Sequence, residues 1–245
     1  MLLGKITRAS DEQALSKILY SLSPQNIDKP VRIAFVNAHA LNICCNDAGF
    51  LRHLLGSDYV FRDGSGMKIL YKMLGCDPGP NLNGTDLIPR IVTLYADCDT
   101  ALFGTENPYL ERAAEAIKEK GITPVLMIDG FQEDKTYLDA ARNRPAPLII
   151  LAMGMPKQER VAELLAANLD YPCLIICGGA ILDFMGGKVT RAPLLFRRLG
   201  VEWLYRLGQE PRRLFKRYVI GNIAFLLRGF RLAVTSNRTR LKSFD

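Results

Sequence analysis

The sequence predicts an α/β fold: a parallel sheet flanked by helices, followed by a helical, basic C-terminal appendage. Three observations predict it. Short runs that are apolar at nearly every position recur along the chain, as in strands covered on both faces. Longer segments with helical spacing separate them, and such alternation builds parallel sheets. Finally, the charge changes sign: residues 1–187 carry −4 and residues 188–242 carry +12.

Taken in order, DEQALSKILYSL (11–22) has helical spacing, with Ser10 as the expected N-cap. VRIAFVN (31–37) is the first buried strand. ALNICCNDAGFLRHLL (40–55) reads as one helix, and a short strand before Asp63 leads into a helix over 64–75. TDLIPRIVTLYADC (85–98) is a helix with Thr85 as its expected N-cap. TALFG (100–104), TPVLMID (123–129), PLIILAMG (147–154) and PCLIICGG (172–179) are further strands. Helices over 106–121, 131–144 and 156–169 lie between them, with acidic starts that suit the helix dipole. Around Pro193 the strands stop, so the expected division is a core over 1–192 and an appendage over 193–245.

The 245 residues are enough for a sizeable core, and half are apolar. Six cysteines without a C-x-x-C pair, mostly in apolar runs, read as buried reduced thiols. Two histidines make a His-rich metal site a poor reading. Residues 1–15 hold no apolar run of signal-peptide length. Residues 218–234 are interrupted by Arg228 and Arg231, short of the roughly 20 apolar residues a spanning helix needs. This segment is expected to lie on a membrane. Just upstream, over 200–222, Trp203, Tyr205, Phe215 and Tyr218 are interleaved with arginines, which suits a surface both apolar and anionic. A solvated basic face and a nucleic-acid contact are the other readings of the tail, but nucleic acid leaves the apolar run 223–227 without a purpose.

Several motifs fall at predicted strand ends. GMPKQE (154–159) opens a helix at Pro156 with Lys157 beside its free N–H groups, an arrangement that attracts anions. CGGAILDFMGG (177–187) repeats the strand, glycine and turn pattern. Two such turns side by side either cradle a diphosphate or are ordinary tight turns, and no nucleotide-binding glycine fingerprint is present. Asp63, in FRDGSGM, is either the cap of the next helix or a general base. Asp97–Asp99 forms D-x-D at the wrong end of its strand for a ligand and reads as a solvated turn. His39 reads as a structural histidine, and Ser65 has no triad around it.

RDGSGM, NLNGTDL, LAMGMPKQE, GGAILDFMGGKVTRAP and GVEWLYRLGQEPRRLFKRY occur in the order seen in the WecG/TagA/CpsF glycosyltransferases (glycosyltransferase family 26), which the chain resembles over roughly residues 31–218. NAHALNI and NLNGTDLIP look closer to the exopolysaccharide branch, with its xanthan-type glucosyltransferases, than to the teichoic-acid ManNAc transferases. The resemblance implies a Rossmann-like core and a C-terminal appendage that docks at the cytoplasmic face of the membrane and completes the site. It implies inverting transfer from a UDP-sugar to an undecaprenyl-diphosphate-linked saccharide, with no cofactor and no obligatory metal. Separately, an apolar surface left by the appendage could bury itself in a homo-oligomer, a dimer or trimer.

Carried over by motif, the catalytic base falls on Asp63, with Asn37 near the reacting sugar and Gln158 as a third catalytic position. The expected nucleotide-sugar contacts are Gly104, Gly154, Pro156, Lys157, Glu159, Gly178, Gly179 and Asp183 from strand ends, and Arg206, Arg212, Arg213 and Arg217 from the tail. Two departures from the family pattern, Phe35 and Asn81, are expected near the donor or acceptor sugar. Outside this class, the alternatives are a nucleic-acid-binding protein using its tail and a nucleotide-dependent oxidoreductase.

Overall fold

The computed structural model describes residues 2–242, with side chains through Thr235. The last residues of the expected appendage, 243–245, lie outside the described residues. Among the described residues, six strands form one all-parallel sheet in the order β2-β1-β6-β5-β3-β4. They are β1 (Val31–Val36), β2 (Tyr59–Arg62), β3 (Asp99–Gly104), β4 (Thr123–Ile128), β5 (Leu148–Ala152) and β6 (Leu174–Cys177). Every residue of β5 and β6 is buried, as their unbroken aliphatic runs require. Half-exposed β4 takes an edge and tolerates Pro124 there, since a proline cannot donate to an inner ladder.

Helices cover both faces. They are α1 (Leu2–Lys5), α2 (Glu12–Ser21), α3 (Ala38–Cys44), α4 (Ala48–Leu55), α5 (Gly64–Met73), α6 (Gly84–Val92), α7 (Tyr109–Lys118), α8 (Asp134–Asn143), α9 (Lys157–Asn168) and α10 (Ile181–Met185). Strand residues alternate between the two layers of core. Phe35, Leu102, Ile150 and Ile176 pack under α6 and α7, while Phe103, Leu151 and Ile175 pack under α8 and α9. Cys173 and Cys177 are buried, but Cys45 and Cys76 are exposed, so burial accounts for only part of the cysteine usage.

Several expected boundaries move, three of them because a different side chain caps. Asp11, not Ser10, accepts the Ala14 N–H at 2.7 Å and starts α2. The predicted helix over 40–55 is two helices, because Asp47 accepts the Phe50 N–H at 2.9 Å and starts a new one. Asn83, not Thr85, caps α6 through the Asp86 N–H at 3.0 Å. A 3-10 turn over Thr93–Tyr95 then ends the helix early. Pro156, joined to Met155 by a cis peptide bond, stands at the cap position, and α9 begins at Lys157.

Beyond Pro193 the chain forms α11 (Leu194–Leu199), α12 (Glu202–Gln209), α13 (Pro211–Phe215), a π-helical turn (Lys216–Ile220) and α14 (Gly221–Lys242). Against the sequence expectation, the helical run Pro211–Thr235 is long and apolar enough to cross a membrane, by length and composition. One face of it packs on the protein: Leu214, Phe225 and Ala233 are buried. Phe225 joins a cluster with Ala34, Val36, Phe50 and Met67. Glycines let α14 approach closely. A Cβ on Gly66 would meet that of Ala38 at 3.1 Å and the Phe225 ring at 3.5 Å, and one on Gly229 would meet Leu70 at 3.1 Å. The other face leaves Ile220, Ile223, Leu227 and Phe230 more than half exposed.

Candidate active site

The strands all point their C-terminal ends to one rim, and the tail folds over it. β3 is followed by a crossover to its outer neighbour β4, while β5 is followed by one to its inner neighbour β6. Ligands in open α/β sheets bind where connections diverge in this way. A cavity of about 750 Å³ opens along this rim. Its lining runs from Thr105, Gly130 and Phe131 past Gly154 and Gly178 to Asn37 and Asp63, and then to α3 and the tail. The D-x-D segment Asp97–Asp99 starts β3 and so lies at the opposite rim.

Asp63 occupies the N-cap position of α5 (φ −120°, ψ 134°), yet its side chain makes no capping hydrogen bond. Its Oδ2 instead accepts from the Asn37 Nδ2 at 3.4 Å. Asn37 is fixed in turn, since its Oδ1 caps α3 through the Ala40 N–H at 3.1 Å. Burial raises the Asp63 pKa above the ordinary carboxylate value, opposed by the Asn37 hydrogen bond and by the positive charges of Arg217, Arg206 and Arg62.

Arg206, Arg213 and Arg217 line the cavity from the tail, together with Lys216 and Arg228. The π-helical turn carries Lys216 and Arg217, and such turns recur at functional sites. The Nε atoms of Arg206 and Arg217 are buried without a hydrogen-bond partner. Burial pulls the Arg217 pKa down. The Arg206 guanidinium lies 5.1 Å from the Phe184 ring centre, and that of Arg217 lies 5.4 Å from the Tyr218 ring. His39 also lines the cavity, and burial, reinforced by Arg217, pushes its pKa down to about 4. It is therefore neutral near pH 7.

At the far end, Asp183 accepts from the Thr105 hydroxyl at 2.5 Å and lies 4.0 Å from the Lys188 ammonium. Thr105 has a positive φ of 50°, a strained backbone held at the point where the crossovers diverge. Gln158 is fully buried beneath the two glycine turns. Its Oε1 accepts from the Gly154 N–H at 3.2 Å and the Gly179 N–H at 3.0 Å, and its Nε2 donates to Glu159 at 2.8 Å. One amide thus ties two strand ends together. Those two N–H groups point down at Gln158, and the Gly178 N–H goes to the Leu151 carbonyl at 2.7 Å.

Of the residues expected from sequence, Asn37, Asp63, Gly154, Gln158, Gly178, Gly179, Asp183, Arg206, Arg213 and Arg217 border the cavity. Five lie elsewhere. Gly104 is a packing glycine: at φ 149° its missing Cβ would fall 2.4 Å from the Ala152 carbonyl. Pro156 stands at the cap position of α9 and does not line the cavity. Lys157 donates to the Gly130 and Gln132 carbonyls at 2.9 and 2.5 Å, so its ammonium pins the loop after β4. Glu159 is buried below Gln158, and desolvation raises its pKa to about 7. Arg212 projects into solvent, one helical position away from Arg213. Phe35 lines the cavity, but Asn81 is exposed outside it. His39, Asn42, Thr105, Lys188 and Arg228 were not among the expected contacts. Among the described residues, no group of three or more His, Cys, Asp and Glu side chains is arranged to hold a metal ion.

The model of the glycosyl transferase WecG/TagA/CpsF family matches residues 2–239. The chain belongs to this family. It is similar to two N-acetylglucosaminyldiphosphoundecaprenol N-acetyl-beta-D-mannosaminyltransferases. With that of Bacillus spizizenii (strain W23) it shares 26% identity over 65% of this chain and 64% of the relative. With that of Staphylococcus aureus (strain MW2) it shares 23% over 74% of this chain and 73% of the relative. The match thus spans just under two thirds of the Bacillus relative's length.

Proposed function

We propose that this glycosyltransferase moves a hexose, glucose or a ManNAc-type sugar, from a UDP-sugar to a polyprenyl-diphosphate-linked saccharide in cell-surface polysaccharide assembly. The acceptor class follows from the relatives' names, which specify a diphosphoundecaprenol-linked N-acetylglucosamine. The observation that carries the reading is the Asp63 carboxylate, free of capping duty and held by Asn37, facing tail arginines within one cavity. The cations converge on a concave site that also holds two aspartates, which suits a small diphosphate better than a nucleic-acid strand.

In the proposed step, an acceptor hydroxyl oxygen attacks the anomeric carbon from the face opposite UDP. Its proton passes to Asp63, the bond from the anomeric carbon to the UDP oxygen breaks, and UDP leaves with the electron pair. General base assistance of this kind is worth about 10²–10⁴ in rate. Arg206 and Arg217 line the cavity and face the charge that grows on the leaving diphosphate. Asn37 orients the base, and Gln158 is a positioning residue that sets the two glycine turns. The sugar spans toward Asp63 while the nucleoside lies near Thr105, four strand spacings or about 19 Å away, with Phe131 one strand beyond it. Residues 1–192 form the catalytic core in this reading. Residues 193–245 complete the site and hold it peripherally at the cytoplasmic membrane surface.

The test is a donor screen with a synthetic polyprenyl-diphosphate N-acetylglucosamine acceptor and UDP-glucose, UDP-ManNAc or UDP-ManNAc uronate. Transfer from one of these donors is expected. Failure with every one, by protein that binds UDP, would overturn the reading.

A further inference from the structure

The cavity contains more cations than one leaving diphosphate uses, and they come from two sides. Arg206 and Arg217 act on Asp63. Arg228 stands eleven residues beyond Arg217, about 16 Å of helix rise away at the backbone. Its guanidinium donates to the Asn42 Oδ1 at 2.5 Å, and the Asn42 Nδ2 donates to the Gly221 carbonyl at 2.7 Å. Asn42 therefore holds α14 against α3 and fixes the Arg228 charge on the α3 side of the cavity. Neither Arg228 nor Lys216 has a carboxylate partner among the described residues, while Arg213 is paired with Glu210 at 2.5 Å. Arg217, Gly221, Ala224 and Arg228 are spaced four, three and four, so they form one stripe on the cavity side. Beside it runs a second stripe, Ile220, Ile223, Leu227 and Phe230, exposed by 55–62%.

We propose that Arg228, with Asn42 and Lys216, forms a second anion subsite that takes the diphosphate of the lipid-linked acceptor. The prenyl chain leaves along the apolar stripe beside it. A cationic patch bordered by an apolar ridge matches a ligand whose diphosphate is esterified to a hydrocarbon. Asn42 lies on α3, which follows β1, whereas Thr105 follows β3, three strand places along the sheet, so the two diphosphates have separate cations. This assignment rests on the transferase reading and deepens it by separating two diphosphate sites in one cavity.

The experiment measures binding as well as turnover. Wild type, Arg228→Ala, Arg228→Lys and Asn42→Ala are titrated with a short-chain polyprenyl-diphosphate N-acetylglucosamine and separately with UDP. Arg228→Ala and Asn42→Ala are expected to weaken acceptor binding at least tenfold and leave UDP affinity within twofold. Arg228→Lys should fall between wild type and Arg228→Ala. In turnover the acceptor KM rises in step, while donor KM and kcat hold. Acceptor affinity unchanged in both alanine variants would overturn the subsite. So would an equal loss of UDP affinity, which assigns Arg228 to the donor. Loss of binding to anionic vesicles with acceptor affinity intact would overturn it in favour of a headgroup contact. Absence of transfer by wild type would count against the transferase reading alone, since the binding titrations still decide the subsite.

Discussion

Asp63 has the position of a helix cap and the partners of a reactive carboxylate. Burial raises its pKa, so protonation is expected to remove the base at a pH above 3.8, its ordinary value. The acidic limb of kcat/KM against pH should therefore have its midpoint above that value, with the rate falling tenfold per unit below it; a pH profile under saturating acceptor checks this. Glu159 behaves differently because it lies under the floor of the site. Its carboxyl titrates at about 7 in the fold against 4.5 ordinarily, so the folded protein keeps a proton that the unfolded chain has released. Stability is then lost as pH rises from about 4.5 to 7 and is level above. The loss is about 3 kcal/mol. Glu159→Gln should abolish that slope and be the more stable protein at pH 8, as urea unfolding at pH 5 and 8 would reveal. The sequence pointed to the "PKQE" segment but gave no means of telling which of its side chains meet the cavity. Successive helical residues point about 100° apart, so Lys157 reaches the loop after β4, Gln158 the glycine turns and Glu159 the interior. The same rotation separates Arg213 in the cavity from Arg212 in solvent.

At the scale of elements, the strands were legible because a fully covered parallel strand needs apolar side chains on both faces, and few other structures do. Helix starts were less legible, because Ser10, Asp11, Thr85 and Asn83 are all competent caps and only geometry selects among them. The tail's helical character and charge were also readable, but its docking was not. That depends on Gly66 and Gly229, whose lack of side chains lets Phe225 and α14 settle against α3 and α5. Phe225→Ala is expected to weaken this docking by about 3 kcal/mol, the lower range for a buried phenylalanine. Limited trypsin digestion would read it: cleavage at the tail arginines should accelerate while the core fragment persists. Thr105 and Lys188 escaped the sequence reading, and His39 was read only as structural, because nothing in their local pattern shows that three separate loops end at one rim.

For the whole molecule, charge and apolar surface are both concentrated in the last quarter of the chain, on the element that closes the cavity. Replacing Ile223 and Leu227 together with Asp should release the protein from anionic vesicles in a flotation assay, since both side chains are more than half exposed and neither contributes to the core. UDP affinity should not change, because neither side chain lines the cavity. In the proposed reading, the arrangement as a whole joins a sheet rim that takes a nucleotide-sugar to a cationic helix that closes over it, with one carboxylate between them. The most direct test is Asp63→Asn, compared with wild type in sugar transfer to the lipid-linked acceptor and in UDP calorimetry. Transfer should drop by about 10²-fold or more, with the UDP dissociation constant within twofold of wild type. Transfer near the wild-type rate by a variant that binds UDP normally would contradict the role given to this carboxylate.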